Sequence, residues 1–481
     1  MTRPRQYPRV TQPRLDLSFP RRIHIVGVGG PGMSALAIIL AERGHTVSGS
    51  EIRESDVLDT LRSVGVTVQM GQRAENVHGV EIVSYSTAIP DDNIELETAR
   101  HRGITLLHRG DVLGSAVLAD SVIGVAGTHG KTTTSALLLT MLRESGLDPS
   151  FVIGAEVRDL GRGAGHGRDR ITVVELDESD GTAEVVPVES LIVTNIDIDH
   201  LDYFTNEKNI DAAFFDIAQR ALRSVVICID DPGCARLFER FQQEVQRGNR
   251  SLPTVVTYGL AEDADVRLSS FHETSSGSQS VVSIDGRTHE VVLPLRGIHN
   301  GLNCTAAVAM AHSYGVEPSL AVSAVSRFGG VERRFDEHGV VNGALLIDDY
   351  AHLPAEIDAV VRAAANHPQR TGKVIAVFQP NRFHRIAQMA DEYADCFQAA
   401  DVIVITDIYA SGTTPIDGVT GKLVVDAITS AHPQADVQWA PQRSDVVAAV
   451  LRQLSSGDVC ISMGCGDIGR LPSEIAAQVH Q

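Results

Sequence analysis

Tryptophan occurs once in this 481-residue chain, at Trp439, and aromatic residues make up only 5%. No uninterrupted apolar run approaches the ~20 residues a spanning helix needs, so no membrane span is expected. The six cysteines (Cys228, Cys234, Cys304, Cys396, Cys460, Cys465) are scattered with no C-x-x-C pair, which fits reduced thiols in a cytoplasmic protein. Positive charge is short: 41 Lys and Arg against 61 Asp and Glu give 41 − 61 = −20. Such a chain is a poor general binder of nucleic acid or anionic membrane. Any anionic substrate must be met by local donors. A secretory start is missing too. Residues 1–20 hold four arginines and four prolines but no apolar stretch, and read as a loose arm.

What is present is globular, with 43% hydrophobic and 21% charged residues and 42 glycines. At roughly 150 residues per domain the length suggests about three domains. Short apolar runs rich in Val and Ile alternate with helical stretches, the pattern of α/β domains with parallel sheets covered by helices. The first block, 21–118, opens on RRIHIVGVGG, followed by a helical pattern from Met33 to Arg43 and a stop at Gly44. The second, 119–332, opens on SVIGVAGTHGKTTT and contains the buried strands ITVVELDES and SLIVTNIDIDH. Its segment 253–296 reads as short antiparallel strands, and a helix runs from about Asn303 to Ser313. The third, 333–481, places strands at ALLIDDYAH, KVIAVFQP, DVIVITDIY and DVCISMG.

Two glycine turns carry the chemistry. In GVAGTHGKTTT, Gly127, Gly130, Lys131 and Thr132 follow a strand and open a helix. Backbone N–H groups there converge on phosphate oxygens and the helix dipole adds a favourable field. Lys131 is placed to reach the β- and γ-phosphates and the Thr132 hydroxyl to take Mg²⁺. The strict P-loop has a further glycine where Val125 stands, so this is a variant. The second turn is Gly27-x-Gly29-x-x-Gly32, with Glu51 some 20 residues on. Alone it is the dinucleotide fingerprint, which places a pyrophosphate at a helix N-terminus without saying which nucleotide.

Polar groups gather at other strand ends. Glu175, Asp177, Glu178 and Asp180 follow ITVVE; of these Glu175, on the strand end, suits a Mg²⁺ beside the P-loop. Asn195, Asp199 and His200 end SLIVTNIDIDH, where a metal or phosphate role competes with a structural one. In the third block Asp348, Asp349, Tyr350 and His352 follow one strand and Arg382 and Arg385 another. Arginine pairs bind carboxylates bidentately, although salt-bridged surface explains such residues equally well.

The motifs GVGGPGMSALA, GTHGKTTT, ELDESD, VTNIDIDHLDYF, HNGLNCTAA, GVERRF, DDYAHLPAE, FQPNRF and SMGCGDI, in this order and spacing, resemble the Mur ligases from about residue 22 onward. Within that family the chain is most similar to the branch that joins L-alanine to UDP-N-acetylmuramate. The resemblance implies a Rossmann-like N-terminal domain holding the UDP-sugar at Gly27, Gly29, Gly30, Gly32 and Ser50. It implies a central P-loop domain holding ATP at Gly127, Thr128, His129, Gly130, Lys131, Thr132 and Thr133, with Asn303 on adenine, Asp349 on ribose and Arg334 in the family's arginine motif. Thr132 and Glu175 would hold one Mg²⁺ and His200 a second; Lys131, Glu175 and His200 form the catalytic set. A Rossmann-like C-terminal domain would present the amino acid through Tyr350, His352, Arg382 and Arg385.

The implied activity is ATP-dependent ligation through an acyl phosphate, a step of peptidoglycan precursor synthesis, by a cytoplasmic monomer or homodimer. Four departures stand out: Thr182-Ala183-Glu184 where the family has Ser-Phe-Leu, Leu353 and Asn381 where it has histidines, and His384 where a small hydroxyl residue is common. These lie on the muramoyl or amino-acid side, so ATP use follows more firmly than alanine selection, and glycine or serine are expected to compete. The competing readings are a sister ligase adding a peptide or another amino acid, and a non-catalytic nucleotide-binding paralogue.

Overall fold

The computed structural model describes residues 14–177, 181–197 and 207–479. Its α/β architecture is built on three sheets. The first contains β1 (Arg22–Val26), β2 (Thr46–Glu51), β3 (Thr67–Met70), β4 (Ile82–Tyr85) and β5 (Thr105–His108). They are all parallel, in the order β3-β2-β1-β4-β5. The order reverses between β1 and β4, and a crevice opens at such a switch point beyond the strand carboxyl ends. The Gly27–Gly32 turn leaves β1 there and enters the helix Pro31–Glu42.

The central sheet contains β6 (Ser121–Ala126), β7 (Ser150–Val157), β8 (Arg162–Gly165), β9 (Ile171–Glu175), β10 (Ser190–Val193), β11 (Ser224–Cys228), β12 (Thr254–Gly259), β13 (Val266–Thr274), β14 (Gly277–Ile284) and β15 (Arg287–Leu293). Its order is β15-β14-β13-β12-β11-β10-β6-β9-β7-β8. β6 lies between β9 and β10, parallel to both, and is buried from Val122 to Ala126. The antiparallel reading of 253–296 needs correction. β12 pairs parallel with β11, and β13 parallel with β12, so TVVTYGL extends the main sheet. Only the later strands turn back in hairpins. β14 and β15 are joined by Asp285 and Gly286, both with φ above +50°, as a tight primed turn requires. The helix expected from Asn303 begins earlier and spans Ile298–Ser313, because Gly301 inside HNGLN does not interrupt it.

The third sheet contains β16 (Asp336–Val341), β17 (Ala344–Asp349), β18 (Val374–Phe378), β19 (Val402–Ile405), β20 (Val437–Trp439) and β21 (Val459–Met463), in the order β16-β17-β21-β18-β19-β20. Only β16 is antiparallel to its neighbour. Alternate residues feed two cores. Ile347, Ala376, Phe378 and Ile461 face one, and Leu346, Ile375, Val377 and Cys460 the other. Burial on both faces explains the unbroken Val and Ile runs.

The chain folds into two compact units. Residues 1–270, 280–292 and 302–329 form one, and 271–279, 293–301 and 330–481 the other. The first sheet and most of the second thus share a unit. Among the described residues no helix is long and apolar enough to cross a membrane.

Candidate active site

In the first unit the P-loop is shaped by the strand beside it. Gly127 has φ 131°, and a Cβ there would overlap Thr194 Oγ1 and lie 3.0 Å from Asn195 O. Gly130 has φ 78°, and its Cβ would lie 2.5 Å from Asn303 Oδ1. Both positions therefore exclude side chains on space as well as on conformation. Asn195 templates the loop, since its Oδ1 accepts from His129 N at 2.7 Å and its Nδ2 donates to His129 O at 3.0 Å. Thr128 N donates to Asn195 O at 3.1 Å. The Lys131 amine donates to the carbonyls of Gly127 and Thr128, so it lies across the loop in reach of the space where phosphates are bound. Asn303, expected on adenine, packs against the loop at Gly130. Thr194, which also donates to His129 O at 2.6 Å, was not foreseen. Its signal was the TN that ends β10, read only for Asn195.

The two residues expected to hold Mg²⁺, Thr132 and Glu175, are also brought together. Thr132 Oγ1 donates to Glu175 Oε1 at 3.1 Å, and Gly154 N donates to Glu175 Oε2 at 3.0 Å. Thr132 is buried at the start of the helix Lys131–Glu144. A hydroxyl and a carboxylate oxygen side by side, beside a phosphate loop, suit Mg²⁺, which takes few protein oxygens and completes its shell with phosphates and water. Among the described residues no three His, Cys, Asp or Glu converge as an all-protein metal cage. His200, Asp199, Glu178 and Asp180 lie outside the described residues.

At the other glycine turn, Gly27 has φ 70° and its N–H, like that of Val28, donates to Ser50 O. Ser50 gives the turn its carbonyl and not its hydroxyl. The side chain is fully buried and donates to Glu95 Oε2 at 2.6 Å. Burial opposes ionisation of Glu95, but the nearby His24 ring, 3.6 Å away, and hydrogen bonds from Ser50 and Asn76 hold its carboxyl below the ordinary value. Glu51 does reach the turn, where its Oε2 accepts from Gly29 N at 2.9 Å. Gly30 caps the helix with extended backbone. Thr182 and Ala183 are buried, and a Cβ on Gly110 would lie 3.0 Å from Thr182 Oγ1. The small residues at this departure thus pack against the helix Arg109–Ala116.

In the second unit, two strand ends, those of β17 and β18 on either side of β21, carry the expected residues. Asp349 ends β17; its Oδ2 accepts from Phe335 N at 2.6 Å and its Oδ1 from Ala351 N at 2.7 Å. Burial pushes its carboxyl up to about 6, although Arg334 and those two N–H groups pull the other way. Each carboxylate oxygen retains a further lone pair for a ligand hydroxyl. The Arg334 and Arg333 guanidinium carbons lie 5.0 and 5.2 Å from the Tyr350 ring centre. Arg333 also staples Asp348 to the turn after β21, through Gly464 O and Gly466 O. His352 stands edge-on to Tyr350, its Nδ1 3.1 Å from Tyr350 O. After β18, Arg382 holds φ at 61°, a conformation that costs a non-glycine residue of order 1–3 kcal/mol and gathers at functional sites. Arg385 Nη1 donates to Asn381 Oδ1 at 2.7 Å, and Asn381 Nδ2 lies 3.3 Å from Cys465 Sγ. Of the departures on this side, Asn381 and Leu353 are buried and His384 is half-buried.

Family models describe these same blocks. "Mur ligase family, catalytic domain" matches residues 22–120, "Mur ligase middle domain" 125–311, and "Mur ligase, glutamate ligase domain" 333–466. A UDP-N-acetylmuramate–L-alanine ligase of Bradyrhizobium sp. strain BTAi1 is 38% identical, over 96% of this chain and 100% of that one. The enzyme of the same name from Thermobifida fusca is 38% identical over 94% and 96%. The crystal structure of UDP-N-acetylmuramate–alanine ligase from Thermotoga maritima superposes with a TM-score of 0.79 at 26% identity, covering 96% of this chain and 99% of that one. A murein peptide ligase from Psychrobacter arcticus shares the fold, with a TM-score of 0.72 at 22% identity. On sequence, on domain order and on the two glycine turns, this chain belongs to the Mur ligase family.

Proposed function

We propose that this chain joins L-alanine to UDP-N-acetylmuramate at the expense of ATP, with the P-loop holding ATP, the Gly27–Gly32 turn holding the UDP-sugar and the C-terminal residues holding alanine. The observation that carries the ATP half is the loop itself: Lys131 drawn across it and Thr132 bonded to Glu175. The relatives named as alanine ligases, matched along nearly the whole chain, support the alanine half.

The chemistry follows from what a carboxylate lacks. Its oxygen is a poor leaving group, so the muramoyl carboxylate first attacks the γ-phosphorus of ATP. The P–O bond to ADP breaks and an acyl phosphate forms. The alanine amine then attacks the carbonyl carbon and gives up a proton, and inorganic phosphate departs as the amide forms. Lys131 and the loop N–H groups bear on the transferring phosphoryl group, where preorganised donors contribute most. Thr132 and Glu175 would hold one Mg²⁺ and His200 a second, and the contribution of these ions when bound is to neutralise phosphate charge. Arg382 and Arg385 offer forked donors to the alanine carboxylate.

The test is phosphate release with ATP, Mg²⁺ and UDP-N-acetylmuramate against alanine, glycine, serine and a tripeptide. Alanine is expected to give the highest kcat/KM. Glycine and serine should trail by a modest factor, since a pocket distinguishes one methyl by only ~1–3 kcal/mol. A tripeptide preferred over alanine makes the chain a sister ligase, and no release with any acceptor makes it a paralogue without catalysis. Glu175→Gln is expected to raise the Mg²⁺ concentration needed for half-maximal rate while leaving UDP-sugar affinity in place. A parental magnesium titration with UDP-sugar affinity lost instead would remove Glu175 from the metal site.

A further inference from the structure

The third glycine of the first turn makes room for a cation. A Cβ built at Gly32 would overlap Arg109 Nη1 and lie 2.9 Å from its Cζ. Gly32 stands in the first turn of the helix Pro31–Glu42, whose dipole favours an anion, and this first turn carries no acidic side chain. Arg109 comes from the end of β5, two strands away from β1 on the far side of the switch point. Its backbone is held by packing: Gly110 and Gly114 of the same helix abut Thr182 and Val185, closely enough that Cβ atoms would lie 3.0 Å and 2.9 Å from atoms there. The guanidinium reaches Asp177 Oδ2 at 3.2 Å, with side-chain exposures of 18% and 42%. An ion pair this exposed on one side contributes little and exchanges readily. Asp177 follows Glu175 by two residues, so one cation touches both the UDP-sugar turn and the strand that carries the metal carboxylate.

We infer that Arg109 is the side-chain cation that binds the diphosphate of the sugar nucleotide, exchanging Asp177 for phosphate oxygens when the substrate enters. This deepens the reading of the Gly27–Gly32 turn and rests on it. At net charge −20 the chain must meet a diphosphate with local donors, and backbone N–H groups alone supply no full charge. A forked guanidinium against the helix N-terminus supplies it bidentately. Gly32 is then required by the arginine and not only by close helix packing. The collision at Gly32 is with the flexible end of a side chain, so an alanine there moves Arg109 aside and does not unfold the helix.

The experiment measures binding of UDP-N-acetylmuramate, UDP and uridine by calorimetry to the parent, Arg109→Ala, Arg109→Lys and Gly32→Ala, with melting temperatures as the control for folding. Arg109→Ala is expected to weaken UDP and UDP-N-acetylmuramate equally, by about 10- to 100-fold, and uridine not at all. Arg109→Lys should fall between, and Gly32→Ala should reproduce the loss with the arginine still present. Asp177→Asn should tighten UDP by about two- to fivefold, because it removes a competing carboxylate. Loss confined to UDP-N-acetylmuramate would assign the cation to the muramoyl carboxylate and overturn the proposal, as would unchanged affinities in folded Arg109→Ala and Gly32→Ala. Failure of the parent itself to bind UDP would instead overturn the reading of the glycine turn.

Discussion

Lys131→Ala is expected to abolish ligation while leaving the fold and UDP-sugar binding intact. The amine now donates to Gly127 O and Thr128 O, two carbonyls of the loop that surrounds the phosphate site. With ATP bound those bonds are expected to be exchanged for the β- and γ-phosphates, so that the cation would meet the charge that builds as the phosphoryl group moves. Removing such a donor costs on the order of several kcal/mol in the barrier, a rate loss of a thousandfold or more. The loop survives, because Asn195 and Thr194 pin His129 from β10 without help from the lysine. Phosphate release and UDP-N-acetylmuramate binding, measured on the same preparation, separate the two effects. Near-parental turnover would show that the loop does not hold ATP.

That experiment rests on a region the sequence reveals almost entirely, and the reason is physical. A glycine whose Cβ would overlap Thr194, a lysine one residue past a left-handed Gly130 and a threonine at the helix start are local requirements written in consecutive residues. Glu175 was readable because a parallel strand delivers its last residue to the same edge as the loop. What escaped the linear reading comes from elsewhere in the chain. Arg109 and Gly32 are 77 positions apart, and nothing about HRGDV announces that its guanidinium fills a notch in another helix. Ser50 misled for the opposite reason. Its position at the end of β2 was right, yet a buried Glu95 contributed by a separate helix took its hydroxyl. The parallel pairing of β12 was hidden because a short Val and Thr run serves equally in either orientation.

The other large effect is expected at Arg385. This side chain is only 7% exposed, and one of its nitrogens donates to Asn381 Oδ1 at 2.7 Å, which fixes the plane of the guanidinium fork. Asn381 is itself held from behind, its Nδ2 3.3 Å from Cys465 Sγ on the turn that follows β21. Lysine would keep the charge but lose the fork, since an ammonium cannot both satisfy Asn381 and meet a carboxylate with two parallel bonds. Arg385→Lys is therefore expected to raise the KM for alanine by about 10- to 100-fold, with the KM values for ATP and UDP-N-acetylmuramate close to the parent's. Asn381→Ala should raise the alanine KM by a smaller factor, because it loosens the guanidinium without removing it. Steady-state kinetics with each substrate varied in turn makes the distinction. If Arg385→Lys instead raises the KM for ATP and spares alanine, the arginine belongs to the phosphate side, and the buried Asn381–Cys465 support serves phosphoryl transfer and not the choice of amino acid.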